Sequence, residues 1–464
     1  MSTVAAPSSI GPVLAGPVPP AKRLPFFKYL RTVRRNFIEA LDEGMYRQGV
    51  IVQRSVGRHS FIVSDPAGIR RVLLDNAANY PKADVEHRIL GPGMGNGLIL
   101  SEGETWRAHR RIMAPAFDHR TVERYAPVMV DAARGVAERW EKVGVSQPVE
   151  AGAEMMRLTL EIISRSMFAA DSESIREIVS EGSDRYQDVM MVGLLEFVPG
   201  LGRLWSAWKG VRGRAIMRDF DRAVFSLIDQ RMRGPVPGRT PDLLDRLIES
   251  RDEHSGTGMT AREVRDQVLT IFVAGHETTA LALMWTWYLL AMHPEHEERM
   301  HAELEEVLGG REPRWDDVPR LGYTKMVLQE SMRLYPPVHT LAFRQALEED
   351  TLCGLRIPKR SLITIMPWLL HRHRSYWRDP DRFDPERFSP AASAGRDRLV
   401  YLPFGFGPRI CIGASFAMTE AVLILASLAR RFRLRLVPGH RVEPLAQFTL
   451  KARHGMWMTV APRD

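Results

Sequence analysis

The 464-residue chain is predicted to be mainly α with a smaller β-rich lobe. Three observations carry that expectation. Thr260-Ala261-Arg262-Glu263 forms a capping box, and the apolar helical pattern it opens runs to about Ala291, ahead of Pro294. Apolar, helix-compatible runs also cover residues 155–168 and 414–428. The β-type runs, at residues 51–54, 59–63 and 357–368, are short, and the last is broken by Pro358.

In chain order, the first 23 residues are rich in Pro, Ser and Gly and lack the sustained apolar run of about 18 residues that a membrane span needs. No basic stretch leads into a secretory core either, so neither a transmembrane anchor nor a signal segment is expected. Residues 1–25 read as a flexible leader and 26–464 as a single domain. Residues 26–49 are amphipathic, with arginines on the polar face, and predict an opening helix. Asp65 as N-cap and Pro66 at the first helical position predict a helix to about Leu74.

Glycines at 91, 93, 95 and 97 superficially suggest a phosphate cradle. Pro92 interrupts them, and residues 80–89 do not form the buried strand that must precede a dinucleotide turn. Residues 90–98 are therefore expected to be a mobile loop over a pocket. Trp106 and Arg110 lie four apart and share one helix face. On spacing alone they fit an aromatic core anchor with a solvated arginine as well as a binding pair. Residues 155–168 predict a packed central rod. Residues 189–204, rich in Met, Leu, Phe and Gly, fit a channel lid or contact with a membrane surface. Residues 231–241 read as a loop.

Composition narrows the function classes. With 45% apolar residues the chain can bury a large core. Two cysteines cannot build a disulfide framework, which favours a reducing compartment and a cytoplasmic location. The net charge of +8 is dispersed, without zinc-finger spacing or a repeated basic and aromatic platform, so nucleic acid is not an expected partner. Such a charge suits steering of an acidic partner. His371 and His373 alternate as metal ligands can, but no further ligand converges in sequence, and a packed loop is expected.

The middle of the long helical pattern is chemically unusual. Ala274-Gly275-His276-Glu277-Thr278-Thr279 places glycine and hydrogen-bonding side chains inside an apolar rod. Gly275 weakens a helix by roughly 1 kcal/mol, a cost explained by a need for space beside it. Thr278 and Thr279 could simply return hydrogen bonds to preceding carbonyls, with Glu277 facing solvent.

Residues 404–413 are the second unusual stretch. Phe404-Gly405-Phe406-Gly407-Pro408-Arg409-Ile410-Cys411-Ile412-Gly413 surrounds one cysteine with glycines, ahead of an apolar helix. A thiolate so placed, near helix-start N–H groups and with no second cysteine close by, suits one axial bond to haem iron better than tetrahedral zinc.

This stretch resembles, at every specified position, the haem-thiolate signature Phe-Gly-x-Gly-x-Arg-x-Cys-x-Gly of the cytochrome P450 family. Ala274-Gly275-x-Glu277-Thr278 is similar to the family's oxygen-side helix motif, and Trp106-x-x-x-Arg110 to its propionate-contacting pattern. Glu330-x-x-Arg333 and Pro385-Glu386-Arg387-Phe388 resemble its buried ion-pair frame.

The resemblance implies a cytochrome P450 fold of the soluble bacterial type over residues 26–460, with one non-covalent haem b (iron protoporphyrin IX). It implies that Cys411 is the axial metal ligand and that Phe404, Trp106, Arg110, Arg344 and Arg409 surround the cofactor, with His339 a weaker propionate candidate. Glu277 and Thr278 become the catalytic pair, Thr278 donating to the dioxygen species beside a widened helix turn and Glu277 helping to deliver protons. Glu330, Arg333 and Arg387 become structural support.

The implied reaction inserts one atom of dioxygen into a C–H bond of an apolar substrate. Its electrons come from NAD(P)H through a separate reductase and a ferredoxin or flavodoxin, since the chain carries neither module. A peroxide-driven oxygenase and a non-catalytic haem-binding or sensing protein are the alternatives. Residues 85–98, 189–201, Val273, Ala274 and residues 338–341 are candidate pocket linings, for a fatty acid, a terpenoid or an aromatic compound, the fatty acid being preferred because the oxygen-side motif also resembles that of long-chain hydroxylases.

Overall fold

The computed structural model describes residues 14–55, 58–144, 147–168, 201–234, 242–251, 256–341 and 343–463. The architecture is mostly helical: α1 (Phe26–Arg35), α2 (Asp84–Met94), α3 (Gly103–Met113), α4 (His119–Val143), α5 (Ala151–Met167), α6 (Leu201–Met232), α7 (Leu243–Glu249), α8 (Ala261–Met292), α9 (Pro294–Leu308), α10 (Gly322–Leu334) and α11 (Ala414–Ala429).

Helix α8 is the axis of the large lobe. Thr260 caps it as the sequence indicates, its hydroxyl accepting from the Glu263 N–H while the Glu263 carboxylate accepts from the Thr260 N–H. At 32 residues it is about 48 Å long. Its length and apolarity would suit a membrane span, but the apolar window is 78% buried inside the protein, as a core helix must be. Helix α5 is the packed rod expected from residues 155–168. It lies close on α8, where a Cβ at Gly275 would come within 2.9 Å of Ile163 Cδ1. The hydroxyl of Thr159 donates to the His276 carbonyl across the same contact at 2.9 Å. The space that Gly275 provides is thus taken by α5.

The smaller lobe is a four-stranded sheet. Val50–Ser55 and Arg58–Val63 pair antiparallel, Leu362–Thr364 joins the latter in parallel, and Arg344–Gln345 closes the edge antiparallel to it. One face carries its own core, including Phe61, Val63, Ile357, Ile363 and Leu402. A three-stranded sheet of Pro148–Glu150, Trp457–Pro462 and Phe432–Leu436 packs at the far side of the helices.

Several local expectations change. The opening helix stops at Arg35 because Asn36 turns extended, and its amide bonds the Pro444 carbonyl (2.8 Å) and the Ala446 N–H (3.1 Å). The helix after Asp65 begins as expected, Asp65 Oδ1 accepting from Ala67 and Gly68, and then widens into a π turn over Arg71–Asp75. Part of the leader is held rather than flexible. Tyr288 Oη accepts from the Ala15 N–H (2.7 Å) and Tyr335 Oη donates to the Ala15 carbonyl (2.6 Å).

The loop expected over residues 90–98 is mostly helix, because α2 continues to Met94. The turn beyond it is clamped onto α8, with the Asn96 N–H donating to Asp266 Oδ2 (2.7 Å) and the Leu98 N–H to Gln267 Oε1 (2.9 Å). Here glycine is obligatory: a Cβ at Gly95 or Gly97 would lie 2.1 Å from the Asp266 carboxyl or the Thr270 hydroxyl. Of the lid expected at residues 189–204, 189–200 lie outside the described residues and 201–204 begin α6; residues 235–241 of the loop after α6 also lie outside them.

Candidate haem-thiolate site

The glycine-rich stretch folds as a tight loop closed by the Cys411 N–H donating to the Phe404 carbonyl at 2.9 Å. Gly405 and Gly407 both sit at φ near +73°, the left-handed region that disfavours a side chain. Gly407 is doubly constrained, since a Cβ there would fall 2.1 Å from the Leu73 carbonyl in the π turn. The loop is thereby held on the sheet lobe at one end and leads into α11 at the other.

Cys411 lies three residues before α11, so the expected support from helix-start N–H groups is limited to the nearest of them. Its side chain is accessible, yet protein rings it closely enough that burial raises the thiol pKa. The Gly413 N–H and the Arg110 charge oppose that rise without overcoming it. A bound metal cation would supply the missing stabilisation of the thiolate.

Around the loop the structure gathers the predicted cations. Arg110 Nη1 donates to the Ile410 carbonyl at 2.6 Å, tying α3 to the cysteine loop. The Arg409 guanidinium stacks on Trp106 at 4.3 Å, donates to the Ser101 carbonyl at 2.8 Å and pairs with Glu102. Arg344 is drawn in by its strand at the sheet edge, where its backbone bridges Lys82. Its Nε is buried without a hydrogen bond.

Burial lowers the pKa of Arg344, holds Arg409 down to about 10 and also lowers Lys82, with only Glu86 and Glu102 nearby to favour their charged forms. By formal charge, Lys82, Arg110, Arg344 and Arg409 exceed the two carboxylates by two, and burial works against the charged forms of both Lys82 and Glu86. An orphaned guanidinium nitrogen and that surplus are what a ligand with two carboxylates would satisfy. His339 does not join the cluster. Its Nε2 meets the Gln447 carbonyl at 2.8 Å, and burial takes its pKa to about 4.

On α8, Ala274 is exposed in the middle of a largely buried helix, as a residue lining open interior space would be. Thr278 Oγ1 donates to the Ala274 carbonyl at 2.8 Å, so the threonine does return a hydrogen bond. The helix stays α-helical through this turn, without the widening that the resemblance implies. Glu277 is 1% exposed rather than solvent-facing. Its Oε1 accepts from Thr449 Oγ1 at 2.6 Å and lies 3.5 Å from Lys451 Nζ.

The frame expected from Glu330, Arg333 and Arg387 is present, with Glu330 and Arg333 fully buried and Arg387 partly so. Arg333 forms a two-pronged pair with Glu330 (2.6 and 2.7 Å) and donates to the carbonyls of His371, Pro380 and Arg382. Arg387 Nε stands 3.3 Å from Glu330 Oε1, and the Asp384 N–H donates to the same oxygen at 2.9 Å. His371 and His373 are packed in this region. His371 Nε2 accepts from the Leu402 N–H, and His373 stacks on Tyr376.

Sequence reasoning missed Lys82, Glu86, Glu102, Thr449, Lys451 and Glu420. The first five come from segments without a chemical motif, and only the fold brings them to the site. Glu420 had a signal: it is the one acid in the apolar run of residues 414–428. It is fully buried, neither carboxyl oxygen makes a well-aligned hydrogen bond, and the neighbouring Thr279 hydroxyl donates to the Gly275 carbonyl instead.

Burial pushes the Glu420 pKa well above its ordinary 4.5, so the folded state holds a proton that the unfolded state releases. Stability from this group is therefore full below about pH 4.5 and declines as pH rises through the folded pKa. Glu420→Gln is expected to flatten that decline in urea titrations across pH. An unchanged slope places the proton elsewhere.

A family model described as cytochrome P450 matches residues 17–457. The chain belongs to the cytochrome P450 family. Among its relatives, cyclooctatin synthase of Streptomyces melanosporofaciens is 37% identical over 419 residues, covering 87% of each chain. Cyclooctat-9-en-7-ol 5-monooxygenase of the same organism is 35% identical, covering 84% of each. The crystal structure of the cytochrome P450DA heme domain superposes with a TM-score of 0.83 at 25% identity, covering 97% of this chain and 99% of that one.

The P450 fold, with its helical body and small sheet lobe, is therefore established, and so is monooxygenase-type chemistry. The donor set fits the family's haem: one approachable sulfur, and a cation cluster matching the two propionates.

Proposed function

We propose that this P450 hydroxylates a largely hydrocarbon substrate with dioxygen, on a single domain spanning residues 26–464 in the cytoplasm. NAD(P)H supplies the electrons through a separate reductase and an acidic ferredoxin or flavodoxin. The observation that carries the reading is the coexistence of an accessible, ringed Cys411 with an unbroken α8 turn that exposes Ala274 and keeps a hydroxyl and a buried carboxylate.

Haem b, when bound, supplies the site of dioxygen reduction and of oxygen transfer to carbon. Cys411 Sγ holds the iron as thiolate. Phe404 and Trp106 would wall the cofactor, and Arg110, Arg344 and Arg409 would pair with its propionates, Arg409 giving up part of its contact with Glu102. Thr278 redirects its hydroxyl proton from the Ala274 carbonyl toward the oxygen pocket. Glu277, held by Thr449 and Lys451, takes up a proton from solvent and passes it on to Thr278, returning to the carboxylate.

Thr278→Ala is expected to leave haem content unchanged while most reductant consumed goes to hydrogen peroxide rather than product. Product yield per NAD(P)H equal to that of the parent would remove Thr278 from proton delivery.

The relative named for cyclooctat-9-en-7-ol, an unsaturated alcohol, favours a terpenoid-like hydrocarbon substrate over a fatty acid. An optical titration of the haem protein with cyclic unsaturated alcohols, fatty acids and aromatics, followed by reconstituted turnover and product analysis, tests this. Turnover with hydrogen peroxide but none with reductant and ferredoxin would overturn the dioxygen reading.

A further inference from the structure

Two exposed apolar patches lie on basic helices. One, Trp205, Trp208 and Val211 on α6, is 37–60% exposed, its two indoles stacked at 4.9 Å. The other is larger for its length. Phe26 and Phe27, at the start of α1, are 67% and 84% exposed with rings 5.5 Å apart, and Val18 just before them is 89% exposed. Stable proteins cover side chains of this size unless something else does so.

The charge around α1 says what that covering is. Lys22, Arg23, Lys28, Arg31, Arg34 and Arg35 are all exposed, and the first acid in the chain is Glu39, which pairs with Arg35 and leaves the other five facing outward. Six cations without one acid in this segment account for most of the net +8 of the whole chain, so the surplus is concentrated here rather than dispersed as the sequence suggested. The helix has no fully buried residue. Tyr29, Leu30 and Val33 lean partly on the body while Phe27, Lys28, Arg31 and Arg34 face outward. The segment is nevertheless anchored, by Ala15 to Tyr288 and Tyr335 and by Asn36 to Pro444, so it is a fixed platform.

We propose that α1 is a docking surface for an anionic lipid bilayer, with Phe26, Phe27 and Val18 entering the interface and the cations meeting headgroup phosphates. An acidic protein would match the charge but would leave two adjacent phenylalanines facing a polar partner. A bilayer surface takes both, since apolar burial and attraction to anionic lipid add. The inference stands apart from the proposed reaction and does not depend on it.

Flotation of the full-length haem protein with vesicles of phosphatidylcholine alone, or mixed with phosphatidylglycerol, tests it. Binding is expected to the mixed vesicles only and to weaken with salt. Phe26→Ser with Phe27→Ser should cost about tenfold per ring. Replacing Lys28, Arg31 and Arg34 by Gln should cost about fivefold per charge. Both variants alter exposed side chains and should keep the parent's melting temperature and haem content.

Equal binding to neutral and anionic vesicles would overturn the proposal. So would undiminished binding of the double phenylalanine variant, with loss instead in Trp205→Ser with Trp208→Ser, which would move the contact to α6. Sensitivity to the charge variant alone would leave an electrostatic protein-docking face in place of a lipid one.

Discussion

Glu330→Ala is expected to lower the unfolding free energy by about 3–5 kcal/mol and to yield protein largely without haem. The magnitude follows from what stays behind. Glu330 and Arg333 are both fully buried, and Glu330 accepts from Arg333 and the Asp384 N–H while also being the charge partner of Arg387. Its removal leaves two guanidinium groups without a counter-charge in a region that water does not reach freely.

Such a loss is a large fraction of the roughly 5–15 kcal/mol by which a folded domain exceeds its unfolded state. Haem content falls with it because Arg333 also fastens the carbonyls of His371, Pro380 and Arg382, in the segment leading to the cysteine loop. Glu330→Gln keeps the shape and the acceptor oxygen and should fall between parent and alanine. Urea midpoints and haem-to-protein ratios check both. An alanine variant that is fully loaded and unfolds at the parent's midpoint would falsify the assignment.

Cys411→Ala is the second large effect. Reduced protein treated with carbon monoxide should lose the spectrum of thiolate-ligated haem, and monooxygenase turnover should drop to the background of free haem. Arg110, Arg344 and Arg409 remain in the variant, so some haem should still bind through its propionates. That residual binding separates the ligand role from general unfolding. The thiol also gives a pH test. Burial raises its pKa, and ligation requires the thiolate, so haem affinity of the apoprotein should fall as pH drops and the sulfur holds its proton more firmly. Cys411→Ala should bind haem with no such dependence. An unchanged carbon-monoxide spectrum in the variant would show that iron is held by another group.

The candidate site was unevenly legible. The ligand loop, the α8 turn and the ion-pair frame stand in contiguous residues, where glycine spacing, a mid-helix polar cluster and an i,i+3 acid-base pair remain visible in one dimension. Arg344 was named only through resemblance, since nothing in Phe343-Arg344-Gln345 distinguishes it from a surface arginine. Its burial follows from edge pairing with Leu362–Thr364. Residues 90–98 misled because four glycines in eight residues read as freedom. Two of them instead allow close contact with Asp266 and Thr270, side chains about 170 positions away.

By itself the amino-acid order determined the helical class, the capped long helix, the cysteine loop and the Glu330–Arg333 pair of the frame. These depend on local backbone preference and on partners a few residues apart, both of which survive without a fold. Tertiary structure alone decided that Glu277 turns to Thr449 and Lys451, that Glu102 occupies Arg409, that Glu420 keeps a proton and that Phe26 and Phe27 stay uncovered. Burial and long-range charge pairing depend on which surfaces meet, and that is settled only when the whole chain has packed.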